Sequence, residues 1–145
     1  MIKNTVVITR GCSGAGKSTY AKEKYPRAFF CSADHFFVDE SGVYNFDPHK
    51  IKIAHQFCQN AFRAALKNAQ PLIVVDNTHT QLWEFEYYID LSKKYNYRVV
   101  VVRIDADPKK AAKRNVHKVP ENVVVRMYNR FEDFPDEIIL NAPGM

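Results

Sequence analysis

Residues Gly11 to Ser18 read GCSGAGKS, and the run that leads into them, Thr5 to Thr9, reads TVVIT. An apolar run without polar alternation, closed at once by glycine, is how a strand buried on both faces of a parallel sheet reads. The spacing Gly11-x-x-x-x-Gly16-Lys17-Ser18 then calls for a turn whose glycines reach backbone conformations closed to other residues. Successive N–H groups can thereby converge on phosphate oxygens. The spacing predicts a helix over Lys17 to Lys24, stopped near Pro26, that points the positive end of its dipole at the same anion. With glycine at roughly 7% of residues, a chance match in a chain of this length has odds on the order of one in a hundred. Gly11, Cys12, Ser13, Gly14, Ala15, Gly16, Lys17, Ser18 and Thr19 are therefore the expected ATP-binding loop. Lys17 is placed to reach the β- and γ-phosphates, Ser18 to bind Mg²⁺ through its hydroxyl, and Thr19 to lie near the α-phosphate.

The rest of the chain repeats the same alternation. Ala28 to Ser32 (AFFCS) reads as a second strand and Asp39 to Pro48 (DESGVYNFDP) as a loop. Ile51, Ala54, Cys58, Ala61, Ala65 and Ala69 recur at helical steps, with Phe57, Phe62 and Leu66 widening the stripe, and Pro71 ends it. Leu72 to Val75 is a fully apolar strand ending in Asp76. Trp83 to Tyr95 reads as a helix and Tyr97 to Ile104 as a strand ending in Asp105. Lys109 to Asn115 is a short basic helix, Glu121 to Glu132 a helix started by Pro120, and Ile138 to Leu140 a short edge segment. This order predicts a single-domain α/β P-loop NTPase fold over residues 1–145. Its sheet is mainly parallel, with four or five strands flanked by helices on both sides, and a basic lid segment lies around 109–120.

Composition narrows the setting more than the function. No apolar run approaches the roughly 18 residues of a membrane span, and MIKNTVVITRG lacks the cleavage-site pattern of a secretory leader. The cysteines, Cys12, Cys31 and Cys58, are odd in number and at unmotivated spacings, so the expected setting is reduced and cytoplasmic. A net charge of +5 suits an anionic ligand, and it equally suits a domain kept soluble by charge.

Ligands of open α/β sheets bind beyond the carboxyl ends of the strands. Asp34 and Asp76 both stand there. Phosphoryl transfer to an alcohol needs one carboxylate on the metal side and a second to accept the proton of the attacking hydroxyl. Asp34 is the candidate general base. Asp76 is the metal-side acid, acting with Ser18 through a coordinated water, and Asn77 and Thr78 are its neighbours. Asp105 reads as a helix cap. Lys109, Lys110, Lys113, Arg114, His117 and Lys118 form the basic segment, within which Arg114 is the candidate phosphate grip because its planar fork makes paired bonds. Arg126 and Arg130 on the last helix are secondary. His35, Asn77, His79 and Arg126 are candidates for the substrate side. His55 reads as a helix-surface or boundary residue, and Trp83, Tyr87 and Tyr88, at helical spacing, as core.

With these residues in hand, the chain resembles the polynucleotide 5′-hydroxyl kinase family of P-loop kinases, from its N-terminus to about Phe134. The segments that carry the resemblance are GCSGAGKST (Gly11 to Thr19), SADHFF (Ser32 to Phe37), VVDNTH (Val74 to His79), KRN-x-H-x-VP (Lys113 to Pro120) and RMYNRFE. The pieces GVYNFDP and AHQFCQNA are similar to those of small ATPase-like relatives in phages and eukaryotes. The resemblance implies a P-loop kinase fold with Lys17 and Ser18 at ATP and Mg²⁺, Asp34 activating the acceptor hydroxyl, and Arg114 in the lid. End-healing kinases carry an arginine shortly after the base, where this chain has Phe36, Phe37 and Val38. His79 stands where relatives often have asparagine.

The expected activity is transfer of the γ-phosphate of ATP to a hydroxyl of a nucleic acid, either a 5′-hydroxyl end of DNA or RNA or a hydroxyl on a modified base. Two alternatives stand beside it: a kinase for a nucleoside or sugar, and an ATP-binding adaptor or slow ATPase.

Overall fold

The central strand of the sheet is the apolar run that opens the chain. A computed structural model describes residues 3–114 and 119–142. In it β1 (Thr5–Arg10) is hydrogen-bonded on one edge to β3 (Leu72–Asp76) and on the other to β4 (Arg98–Asp105). β2 (Phe29–Cys31) flanks β3 and β5 (Ile138–Asn141) flanks β4, giving five parallel strands in the order β2-β3-β1-β4-β5. The edge segment at Ile138 is thus a true strand, one residue longer than its apolar run.

Because every interior strand has helices on both faces, neither face needs polar residues, and the alternation usual in half-exposed strands is lost. Val6, Ile8, Ile73 and Val75 pack against α2 (Ile51–Lys67) and α3 (Leu82–Lys94) through Ala54, Cys58, Phe62, Phe85 and Tyr88. Val7, Val74 and Val102 face Ala21 of α1 (Lys17–Lys24), Ala111 of α4 (Pro108–Arg114) and Val124 of α5 (Glu121–Asn129). The path from β1 leads to β2 on one side, and that from β3 leads to β4 on the other. This divergence opens a crevice above the paired ends Thr9 and Asp76, the usual ligand position in such sheets.

Several elements differ from the sequence reading. In α2, Ile51 and Phe57 are 44% and 43% exposed, so the buried stripe is narrower than the apolar pattern. Ala69 lies beyond that helix at φ 54. Trp83 is not core but 70% exposed, its indole N–H donating to the Gln81 side chain (2.8 Å). The cap of α4 is Asp107, which accepts from the N–H of Lys109 (2.9 Å), whereas the Asp105 charge lies near Tyr128 and raises its phenol pKa. The stretch after Val38 is a small hairpin: Val38 and Tyr44 pair antiparallel, and the Asp39 carboxylate accepts from the N–H groups of Ser41 and Val43 (both 2.9 Å). Asn115, His117 and Lys118 of the expected lid lie outside the described residues. All three cysteines are buried and unpaired. Among the described residues no helix is long and apolar enough to cross a membrane.

Arg10, the last residue of β1, is fully buried. Its guanidinium donates to the carbonyls of His79 (2.8 Å), Thr80 (3.1 Å) and Glu132 (2.6 Å) and pairs with Glu137 at 2.7 Å. It also lies 4.7 Å from the centre of the Phe85 ring and 5.1 Å from that of Phe131. Desolvation pulls the Arg10 pKa down, and the Glu137 carboxylate opposes that shift. A buried pair broken on one side leaves the other charge uncompensated. Arg10→Met is therefore expected to cost ~3–5 kcal/mol of unfolding free energy. The double variant Arg10→Met/Glu137→Leu should lose less than the sum of its single changes in urea titrations.

Candidate active site

The phosphate loop leaves β1 at Gly11, whose N–H donates to Thr78 O (3.1 Å) from the turn after β3. Gly14 (φ 83) and Gly16 (φ 94) take left-handed backbone conformations, and Gly16 caps the start of α1. At Gly16 a side chain would be strained and its Cβ would come within 3.0 Å of an Arg114 guanidinium nitrogen. Ala15 N–H turns back onto Cys12 O (3.0 Å), and both residues are buried. Their amide and side chains thus close the loop from beneath, while Ser13, Gly14, Gly16, Lys17, Ser18 and Thr19 face the cavity.

Asp76 ends β3 directly beside Thr9. One of its carboxylate oxygens accepts the Ser18 hydroxyl at 2.5 Å, the other the Thr9 hydroxyl at 2.9 Å. A hydroxyl and a carboxylate converging beside a phosphate loop form a hard, all-oxygen donor set. Such a set fits Mg²⁺, which favours few protein oxygens together with water and phosphate.

The next residue serves the opposite wall. Asn77 accepts the N–H of Ala33 at 2.9 Å, so the short 3₁₀ turn Ala33–Phe37 is pinned to the end of β3. Asp34 sits in that turn, its N–H on the Ser32 hydroxyl (3.2 Å), and its carboxylate accepts the phenol of Tyr44 at 3.2 Å. Tyr44 keeps its proton: burial raises its pKa first, and the Asp34 charge raises it further. Arg114, at the end of α4, reaches across to donate to Gly14 O (3.3 Å). Asp34, Asn77, Arg114 and the phosphate loop all line one cavity of about 620 Å³.

Residues 6–136 match the profile of the AAA domain family. The chain belongs to that family. Over 136 residues, 89% of its length, it is 34% identical to NEDD4-binding protein 2 of Homo sapiens, and it spans only 8% of that relative. Its fold is similar to a chain of the Pnkp1/Rnl/Hen1 RNA repair complex (TM-score 0.70, 16% identity, 90% of this chain and 44% of that one). It is also similar to a gluconokinase from Sinorhizobium meliloti (TM-score 0.60, 14% identity, 100% of this chain and 86% of that one). These likenesses show a P-loop kinase fold.

In this AAA domain not every candidate residue meets the cavity. His79 is 2% exposed and lies beneath the site, against the rings of Phe85 and Tyr88. It belongs to the scaffold instead of the substrate side. Its Nδ1–H donates to Thr9 O (3.0 Å) and its Nε2 accepts from the Asn77 amide (3.2 Å), which fixes a neutral ring. His35 is exposed outside the cavity wall, and Arg126 is exposed on α5, whose Val123 and Met127 line the cavity instead. The sequence reading missed Tyr44 and Phe46, both in the wall, while His55 is exposed at the boundary of α2 as read and also lines the cavity. Tyr44 and Phe46 stand within the stretch read only as loop. His55 follows Ala54 on the edge of the stripe, where the docking of α2 against the Asp34 turn brings it to the cavity rim.

Desolvation pushes the His79 pKa down to about 4, with the Thr9 carbonyl and Asp76 opposing the shift. An unfolded histidine titrates near ~6.5. Below that pH the unfolded chain takes a proton that the folded site refuses, so stability falls as pH drops. Unfolding free energy is expected to decline between about pH 6.5 and pH 4, and His79→Gln should flatten that slope in denaturant titrations across the range.

Proposed function

We propose that this domain transfers the γ-phosphate of ATP to a hydroxyl of a nucleic acid, in the simplest case a 5′-hydroxyl end of DNA or RNA. The observation that carries this reading is one cavity walled both by the phosphate loop and by the Asp34 carboxylate. A domain that only bound or slowly hydrolysed ATP would need no carboxylate held by Tyr44 and by a turn pinned through Asn77.

The chemistry follows from what each residue can do. The inward N–H groups of the loop and the ammonium of Lys17 hold the β- and γ-phosphates. Arg114 adds positive charge where negative charge builds on the transferred group. Asp34 accepts the proton of the acceptor hydroxyl as its oxygen bonds to the γ-phosphorus. The bond from that phosphorus to the bridging oxygen breaks, and its electron pair leaves on the β-phosphate of ADP. Mg²⁺, when bound near Ser18 and Asp76, supplies charge that the phosphate oxygens share.

The resemblance to polynucleotide kinases and the likeness to a chain of an RNA repair complex support a nucleic-acid acceptor. The likeness to a gluconokinase supports a small hydroxyl compound as the second reading. Transfer of γ-labelled phosphate to 5′-hydroxyl DNA, 5′-hydroxyl RNA, hydroxymethylated DNA, nucleosides and gluconate separates them, and label only in free phosphate would leave an ATPase.

Asp34→Asn should lower transfer by about 10²–10⁴-fold while ATP still binds; full activity in that variant would remove Asp34 as the base. Lys17→Ala should lose turnover together with productive ATP binding, read by the same label and by equilibrium titration of nucleotide. Tyr44→Phe removes one hydrogen bond to the carboxylate and is expected to lower kcat about tenfold, without a matching change in KM for ATP.

A further inference from the structure

The geometry points to a nucleobase subsite beside Asp34, formed by Phe37, Tyr44 and Phe46, that holds the base of the acceptor by stacking. It rests on the phosphotransfer reading and deepens it by stating what the acceptor must carry next to its hydroxyl.

The subsite is constructed by the hairpin that follows the Asp34 turn. Asn45 N–H donates to Phe37 O (2.8 Å) and Asp39 N–H to Val43 O (2.9 Å), so the hairpin is tied to that turn. The tie brings the Tyr44 hydroxyl to Asp34. The Tyr44 ring lies parallel to that of Phe46 within 11°, centres 6.5 Å apart. Phe37 meets Phe46 edge-on at 5.1 Å from beneath. Phe37 is 7% exposed and completes the core, whereas Phe46 lines the cavity and is still 53% exposed. The core therefore does not use the Phe46 face. An aromatic ring at the wall of a ligand cavity that keeps about half of its residue's surface exposed offers a stacking surface for a planar group.

Charge and polarity across the cavity support the same assignment. Among the described lining residues the cations are Lys17 and Arg114, both at the phosphate loop. Around the hairpin rings the wall continues with Ile51 and Ala54. Phe36, Phe37 and Val38 occupy the positions after the base, so no guanidinium there grips a phosphodiester. A sugar acid would find few partners on such a wall. A base joined to a hydroxyl-bearing sugar, or itself carrying a hydroxymethyl group, would find rings for the base and Asp34 for the hydroxyl. A separate apolar surface lies on α5, where Met127 contacts Ser13 of the loop through its sulfur (3.8 Å) and Val123 lines the same wall, so the rings beside Asp34 are not the cavity's sole surface for a base.

The test uses the full chain with Mg²⁺ and γ-labelled ATP. Acceptors are a 5′-hydroxyl oligonucleotide, the same oligonucleotide with an abasic terminal residue, a nucleoside, and ribose as its base-free counterpart. Removing the base is expected to raise KM about tenfold or more in whichever pair is phosphorylated. Phe46→Ala should bring that ratio towards one, Phe46→Tyr should restore it, and KM for ATP should not change in step. Equal KM with and without the base overturns the subsite alone, as does a Phe46→Ala effect confined to KM for ATP, which would assign the rings to the donor's base. Label on none of the four, nor on hydroxymethylated DNA or gluconate, overturns the phosphotransfer reading and the subsite with it.

Discussion

Arg10 ends the central strand one residue before the phosphate loop begins, and its guanidinium is buried where three returning segments meet the carboxyl edge of the sheet. Those segments are the turn at His79 and Thr80, the stretch after α5 at Glu132, and Glu137 just before β5. A planar group with five donors can serve carbonyls and a carboxylate in different directions at once, which an ammonium on a flexible stem does less well. The phosphate loop therefore starts from a strand end held by side-chain bonds as well as by the sheet. Its precision rests on that, because a loop cradling phosphate must keep its N–H groups aligned without a ligand to align them.

The end of β3 carries the same logic across the cavity. Asp76 binds Ser18, the next residue Asn77 binds the turn that carries Asp34, and Thr78 accepts the Gly11 N–H. Three consecutive residues thus connect Ser18, the turn that carries Asp34 and the root of the phosphate loop. His79 completes the set from below by bonding Asn77 and Thr9, which keeps the amide of Asn77 turned so that its oxygen faces Ala33. A charged imidazole there could not accept from Asn77, so the ring's resistance to protonation also protects the placement of Asp34.

What was legible in the sequence was what local pattern determines. The glycine spacing of Gly11 to Ser18, the uninterrupted apolar strands and the acids at their ends all depend on residues close in the chain, and the sheet follows from their alternation. What was not legible depends on docking between distant segments. Nothing near His79 distinguishes a ligand-facing histidine from one folded under the site, and only the approach of Thr9 and Asn77 decides it. Tyr44 sits among turn formers, so its reach to Asp34 is invisible until Val38 and Tyr44 pair. Trp83 kept the helical spacing of a core residue but lies on the exposed side of α3, because Phe85, Tyr88 and Ile89 already fill the buried one.

In the proposed reading, the two ends of the cavity recognise their ligands by different physics. The phosphate loop, Lys17 and Arg114 act through charge and aligned dipoles, which are strong at short range and indifferent to what the phosphate is attached to. The rings beside Asp34, as the proposed base subsite, would act through contact area, which is weaker per residue and insensitive to the pattern of donors and acceptors on a base edge. An acceptor wall of this kind distinguishes a planar group from its absence better than one base from another. Discrimination among acceptors then falls to geometry. A stacked base fixes where its attached hydroxyl can lie, and only hydroxyls that reach Asp34 from that position share the cavity with the γ-phosphate in a reactive arrangement.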